Sequence, residues 1–217
     1  MREIIIRQLG RVDYAPTWQA MQDFTAQRMA DTADEIWLLE HPPVYTLGQS
    51  GHRRHLLHDS DIPLINIDRG GQITYHGPGQ LVAYVLIDLK RRRFGVRDLV
   101  ERMEQAIIDM VCERGIVAHR NDGRPGVYVG DAKIAALGLR IRRGCSYHGL
   151  ALNIAMDLTP FDRINPCGYE NLPVTQLSDL GVDDTIEQIN QALVAHLVQN
   201  LTTDTRIQEN HGRYKTS

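Results

Sequence analysis

Leu81 to Leu89 is an apolar run broken only by Asp88, and the chain enters it from a twelve-residue stretch, Arg69 to Gln80, in which five residues are Gly or Pro. A run of this kind reads as a strand buried on both faces. The stretch before it reads as a shaped loop, because Gly and Pro set backbone directions that other residues do not. A strand buried on both faces needs other elements packed over it on each side.

The rest of the chain supplies strands and helices for that packing. Ile4 to Leu9, Glu35 to Glu40 and Val44 to Leu47 read as strands, the last two divided by His41-Pro42-Pro43. Between the first two, Trp18, Met21, Thr25 and Met29 recur at helical spacing, with Pro16 suited to a first turn. Gln49 to Ser60 is polar and reads as a loop, and Ile62 to Asp68 as a strand. Leu99, Met103, Ala106, Ile107, Met110 and Val111 mark one face of a helix over Arg97 to Arg114, stopped by Gly115. Val127 to Val129 and Ala132 to Leu139 form a hairpin about Gly130-Asp131, and Ser146 to Ala155 is a further strand. Asp157 to Pro173 is a long loop with three prolines. A last helix spans Thr185 to Leu201, with capping-box spacing between Thr185 and Gln188. Residues 202–217 are polar and read as a loosely held tail. No linker divides two cores. The expectation is an α+β fold, a single domain over 1–217 with a mixed β-sheet flanked by helices.

Three totals exclude function classes. A formal net charge of -3 argues against a general nucleic-acid binder. No stretch approaches the roughly 20 apolar residues of a membrane span, and the charged N-terminus does not suit a signal peptide. Three cysteines do not make a disulfide framework and suit a reducing compartment. The chain reads as a cytoplasmic protein without membrane partners.

Among those cysteines, Cys112 lies beside an apolar helix face and reads as a small buried residue. Cys145 starts a strand after a turn. Cys167 sits in Asn165-Pro166-Cys167-Gly168 within the long loop, where Pro fixes the preceding backbone and Gly allows close approach. A nucleophilic thiol needs a base or a cation, because at its ordinary pKa of about 8.5 little of it is thiolate near neutral pH. The chain has three lysines. Lys90 belongs to the run Lys90 to Arg93, read as a solvated strand end, and Lys215 to the tail. Lys133 precedes Ile134-Ala135-Ala136-Leu137, where partial burial would suit it to proton transfer and a snorkelling surface position would not. His41, His76 and His148 are further polar candidates. Cys145-x-x-His148 stands without a second pair of metal-ligand spacing, so no metal is expected. The glycine-rich loop is neither a Walker A motif nor a dinucleotide fingerprint.

Several blocks resemble one family. Arg69-Gly70-Gly71-x-x-Thr74-Tyr75-His76-Gly77-Pro78-Gly79-Gln80 is similar to the signature of the octanoyl-acyl-carrier-protein:protein octanoyltransferases, also called lipoyl(octanoyl) transferases. The resemblance extends through Glu40-His41-Pro42-x-x-Tyr45-Thr46-x-Gly48, Pro125-Gly126-Val127-Tyr128, Lys133-Ile134-x-x-Leu137-Gly138, His148-Gly149-Leu150-Ala151-Leu152-Asn153 and Ile164-Asn165-Pro166-Cys167-Gly168. It implies the catalytic fold of biotin and lipoate protein ligases. It implies transfer of octanoyl from acyl carrier protein to a lysine of lipoyl domains, those of 2-oxoacid dehydrogenase complexes and the glycine cleavage H protein, as a step of lipoate biosynthesis. Cys167 would carry the acyl group as a thioester, and Lys133 would lower its pKa and move protons. The substrate would lie against Arg69, Gly70, Gly71, Gln72, Ile73, Thr74, Tyr75 and His76, against Ala136, Leu137 and Gly138, and against His148, Gly149, Leu150 and Ala151. No cofactor is implied beyond the phosphopantetheine of the donor, and neither ATP nor a metal. The basic groups Lys90 to Arg93 and Arg140, Arg142 and Arg143 could steer acidic partners. Three rival readings remain: an ATP-dependent lipoate or biotin ligase on the same fold, a non-catalytic acyl- or lipoyl-domain-binding module, and a cysteine hydrolase.

Overall fold

The computed structural model describes residues 3–58, 60–166 and 172–202. Its elements run β1 (Ile4–Arg11), α1 (Tyr14–Gln27), β2 (Asp34–Glu40), β3 (Val44–Leu47), β4 (Leu64–Asn66), β5 (Ile73–His76) and β6 (Gln80–Leu86), then α2 (Leu89–Arg92), α3 (Val96–Cys112), β7 (His119–Arg120), β8 (Gly126–Val129), β9 (Ala132–Arg142), β10 (Cys145–Asn153) and α4 (Ile186–Thr202). Among the described residues there are two sheets. The larger has the order β1-β2-β6-β10-β9-β8-β7 and the smaller β4-β3-β5. β1 is parallel to β2 and β3 to β4, while the remaining pairings are antiparallel, so both sheets are mixed.

The apolar run does become a central strand. Every residue of β6 is buried, and its neighbours are β2 and β10. On one face of the large sheet, Leu81, Ala83 and Val85 pack with Leu150 and Leu152 of β10 against Leu99, Met103 and Ile107 of α3 and Leu193 and Leu197 of α4. On the other face, Val82, Tyr84 and Leu86 pack with Trp37, Tyr147 and Ala151 against Met21 of α1. The small sheet has its own core, in which Tyr45, Ile73 and Tyr75 meet Phe161 and Ile164 from the turn after β10.

Local signals place most element ends. Gln188 N–H donates to Thr185 Oγ1 at 3.3 Å and Thr185 N–H to Gln188 Oε1 at 2.7 Å, the expected capping box of α4. The Asp98 carboxylate accepts from Gly95 N–H at 2.8 Å and caps α3.

Four expectations change. The Arg69–Gln80 loop contains β5, because its Gly and Pro residues lie at its ends while Ile73-Thr74-Tyr75 can pair with β3. The strand expected over 62–68 shortens to the three residues that face Tyr45, Thr46 and Leu47. Cys112 is exposed, since the last residue of α3 lies about 100° round the helix from Val111. The run Lys90 to Arg93 is no solvated strand end. Its first three residues belong to α2 and Arg93 caps it, and Arg91 and Arg92 reach the buried Asp34 at 2.5 and 2.7 Å, joined by Arg28 at 2.5 Å. Burial alone would raise the Asp34 carboxyl, but the Asp88 N–H and the Arg92 and Arg91 guanidinia hold it below the usual range. No helix among the described residues is long and apolar enough to cross a membrane.

Candidate active site

A cavity of about 340 Å³ lies where β9 and β10 meet the Arg69–Thr74 segment. Its sheet side is made of small residues in cross-strand register, Ala136 opposite Ala151 and Gly138 opposite Gly149. Side chains would fill it: a Cβ on Gly138 would come 3.0 Å from Arg69 Cδ and 3.1 Å from Gly70 O. Val82 and Tyr84 border it on β6, and Val96 and Val100 of α3 on another side. The facing segment is fastened to the free edge of β9, where Gly70 N–H donates to Leu139 O at 2.9 Å. Arg69 is buried there, donating to Thr46 O at 3.0 Å, Thr46 Oγ1 at 2.9 Å and Gly70 O at 2.9 Å. A mostly apolar enclosure with a few fixed polar groups suits a small acyl chain.

Lys133 borders the same cavity and is only 4% exposed, so it is no snorkelling surface lysine. Its Nζ donates to Pro125 O at 3.0 Å and stands 5.1 Å from the centre of the Tyr128 ring. Gly126 makes room for it: at φ +143° a Cβ there would lie 2.8 Å from Lys133 Cε and 3.0 Å from Nζ. Glu104 of α3 holds this turn by accepting from Gly126 N–H at 2.8 Å. Burial pushes the Glu104 carboxyl up, against the pull of Gly126 N–H and Arg120.

The opposite side of the cavity is a polar cluster. His41 Nδ1 meets Val12 O at 2.7 Å, which fixes the proton on Nδ1 and leaves Nε2 to accept from Tyr84 OH at 2.7 Å. The Tyr14 ring packs on those of His41 and His76, with centroids 4.9 and 5.9 Å away. His76 Nδ1 donates to Gln80 Oε1 at 2.7 Å, because the Gln80 amide donates onward to Tyr75 O and Asn153 Oδ1. Burial keeps both imidazoles neutral, pulling His41 down to about 4 and His76 to about 3. Asp68 accepts from Trp18 Nε1 at 2.8 Å, from His148 Nε2 at 3.0 Å and from the Tyr147 hydroxyl. Burial alone would raise its carboxyl, but these donors hold it well below the usual carboxylate range. Burial lowers His148 in turn, with Asp68 opposing.

Of the expected substrate-binding residues, Arg69, Gly70, Gly71, Gln72, Ile73, Thr74, His76, Ala136, Leu137, Gly138, His148, Gly149, Leu150 and Ala151 line the cavity together with Lys133. Tyr75 is not among the lining residues. Its ring packs on Tyr45 and Phe161, because alternation along β5 turns it away from Thr74 and His76. Cys167 lies outside the described residues, as do positions 203–217. The chain on either side of Cys167 is anchored. Asn165 N–H donates to His55 O at 2.8 Å, and Lys133 N–H donates to Pro173 O at 2.8 Å.

Sequence reasoning passed over Tyr14, Tyr84, Asp68 and Glu104. Glu104 had a legible signal, an acidic residue inside the stripe Val100, Ile107, Val111. Tyr14, Tyr84 and Asp68 had none, since each acts through partners distant in the chain.

The comparisons agree with this geometry. The family model of the lipoyl protein ligase A/B catalytic domain matches residues 13–198. The chain is 64% identical over 199 residues to an octanoyltransferase of Azoarcus sp. strain BH72, covering 91% of this chain and 88% of that one. It is 64% identical over 190 residues to an octanoyltransferase of Thiobacillus denitrificans, covering 88% and 87%. Among solved structures, a bi-partite lipoate protein ligase from Thermoplasma acidophilum superposes with a TM-score of 0.71 at 17% identity, over 94% of this chain and 86% of that one. A biotin protein ligase from Aquifex aeolicus superposes with a TM-score of 0.58 at 11% identity, over 91% and 70%. Both show the shared fold. The chain therefore belongs to the lipoyl protein ligase A/B catalytic-domain family.

Proposed function

We infer that this chain is an octanoyltransferase of protein lipoylation, moving octanoyl from acyl carrier protein to a lysine of a lipoyl domain through a thioester on Cys167. The observation that carries the reading is the apolar cavity bordered by a buried lysine, in a chain so similar to octanoyltransferases. The acceptors we assign are lipoyl domains of 2-oxoacid dehydrogenase complexes and the glycine cleavage H protein.

In the first half-reaction the Cys167 thiolate attacks the donor thioester carbonyl. The phosphopantetheine sulfur leaves, taking a proton from the Lys133 ammonium. In the second, the acceptor lysine amine attacks the Cys167 thioester and the Cys167 sulfur leaves. Neutral Lys133 takes the amine proton and the amide is formed. Thioester exchange is nearly isoenergetic and aminolysis of a thioester is downhill, so ATP and metals are not required. Chain connectivity supports the pairing of Cys167 with Lys133: Pro173, six residues after Cys167, is hydrogen-bonded to the Lys133 backbone.

The test is intact mass after incubation with octanoyl-acyl carrier protein, free of ATP and metals, for wild type and Cys167→Ser. A hydroxylamine-labile octanoyl adduct on wild type alone, discharged by a lipoyl domain, is expected. Transfer that needs ATP, or that survives Cys167→Ser, would overturn the mechanism and favour a ligase-type route.

A further inference from the structure

The sheet side of the cavity changes from strand to strand. A Cβ on Gly126 would lie 3.0 Å from Lys133 Nζ, so the ammonium stands at the level of Gly126. Two cross-strand rows lead away from there. In one, Gly126 of β8, Ala136 of β9, Ala151 of β10 and Val82 of β6 are register partners in turn. In the other, two residues along β9, the partners are Gly138, Gly149 and Tyr84. Both rows are small on β9 and β10 and become large on β6. Neighbouring strands lie about 4.8 Å apart, so β6 is about 10 Å from β9. An extended eight-carbon chain, with bonds of about 1.5 Å at tetrahedral angles, spans about 9 Å between its end carbons. On the function proposed above, on which this rests, the thioester forms beside Lys133 and the methyl end arrives at β6. There Val82 and Tyr84 border the cavity.

Tyr84 is the larger of the two, and it is tied in place. It packs on the same face as Val82 and Ala151 and is 4% exposed. Its hydroxyl donates to His41 Nε2 at 2.7 Å, and His41 Nδ1 donates in turn to Val12 O at 2.7 Å. Burial pushes the Tyr84 phenol well above its ordinary range and keeps the His41 imidazole neutral, so the donor and acceptor in this pair do not exchange roles near neutral pH. Other rings hold the pair from the sides. Tyr84 has His148 at 6.0 Å between centroids, and His41 has Tyr14 at 4.9 Å and His76 at 6.0 Å. A swing of the Tyr84 ring would leave the buried His41 Nε2 without its donor, which is costly in an interior.

We propose that Tyr84 is the end wall that limits the acyl chain to about eight carbons, and that His41 is the positioning residue that holds this wall. A longer chain must displace the ring or leave its carbonyl short of Lys133. The transfer chemistry itself is unchanged.

The experiment measures kcat/KM with octanoyl-, decanoyl- and dodecanoyl-acyl carrier protein. Wild type should favour octanoyl. Tyr84→Ala opens the end of the cavity, and the decanoyl-to-octanoyl ratio should rise about tenfold or more as two methylenes regain burial. Tyr84→Leu keeps an apolar core residue at the position, guards against a variant that fails to fold, and should move the ratio the same way. Tyr84→Phe and His41→Phe untie the ring without removing it, and each should raise the ratio by a few-fold, a change that loss of stability alone would not produce. A wild type that takes decanoyl as well as octanoyl, or a ratio unchanged in folded Tyr84→Ala or Tyr84→Leu, overturns the wall. A ratio that rises in those variants but not in Tyr84→Phe or His41→Phe overturns the positioning role of His41. Absence of octanoyl transfer by wild type would instead count against the transfer reading.

Discussion

Lys133 Nζ donates to the carbonyl of Pro125 at 3.0 Å, and at the next residue, Gly126, a side chain would collide with it. The lysine is thus aimed along β9 toward the small-residue side of the cavity by a turn in another strand. Gly126→Ala should move the ammonium and cost about 1 to 3 kcal/mol in stability from its φ of +143°. Transfer from octanoyl-acyl carrier protein should drop in kcat more than in KM. Lys133→Met, which removes the proton carrier, should lower kcat roughly 100-fold or more. Full activity in either variant would detach Lys133 from the chemistry.

Glu104 acts through that turn. Glu104→Gln keeps an acceptor for Gly126 N–H, and Glu104→Ala does not. We expect the glutamine variant to stay within a few-fold of wild type and the alanine variant to lose about 1 to 3 kcal/mol of stability, with a fall in kcat. Denaturant melts beside steady-state kinetics would check this, and equal behaviour of the two variants would remove the positioning role.

The small side of the cavity should set the space for the chain. Ala151→Leu puts a branched side chain beside Ala136 and Gly138. Each acyl methylene that loses its burial forfeits about 0.8 kcal/mol. The ratio of hexanoyl to octanoyl transfer should rise about tenfold. An unchanged chain-length profile would place the octanoyl group elsewhere.

His41 and His76 are held neutral by burial, at about 4 and about 3. Unfolded histidine titrates near 6.5, so below that pH the unfolded chain binds protons that the folded chain does not. Their stabilising contribution is complete above about pH 6.5 and falls as pH drops toward the folded values, by about 1.4 kcal/mol per unit for each ring. His76→Gln should flatten the dependence of melting temperature on pH between about 4 and 6. The same slope in the variant would contradict burial as the cause.

Asp34, fully buried, gathers Arg28, Arg91 and Arg92. Asp34→Ala strands these guanidinia and should cost about 3 to 5 kcal/mol, measured by urea denaturation. A loss under about 1 kcal/mol would show that the arginines find other partners. The finding also narrows the basic surface, since of the run Lys90 to Arg93 only Lys90 and Arg93 are exposed. A docking patch for acidic proteins would have to rest on these and the β9–β10 turn.

The sequence by itself determined what is written within a few residues. The buried run of β6, the helical stripe of α3, the Gly130-Asp131 turn and the Thr185–Gln188 cap are local patterns, and each is found where the pattern put it. Through its family resemblance it also brought more than half of the cavity lining into view, because those residues sit in contiguous blocks, Arg69 to Thr74 and stretches of β9 and β10. Only the tertiary structure decided the direction of Tyr75, the burial of Lys133, the clustering of three arginines on Asp34 and the convergence of Trp18, Tyr147 and His148 on Asp68. These depend on which face of a strand meets which neighbour, and on partners as far as 86 positions apart in the chain, as Tyr75 and Phe161 are. Cross-strand register and burial settle them, and neither is encoded within a short stretch of residues.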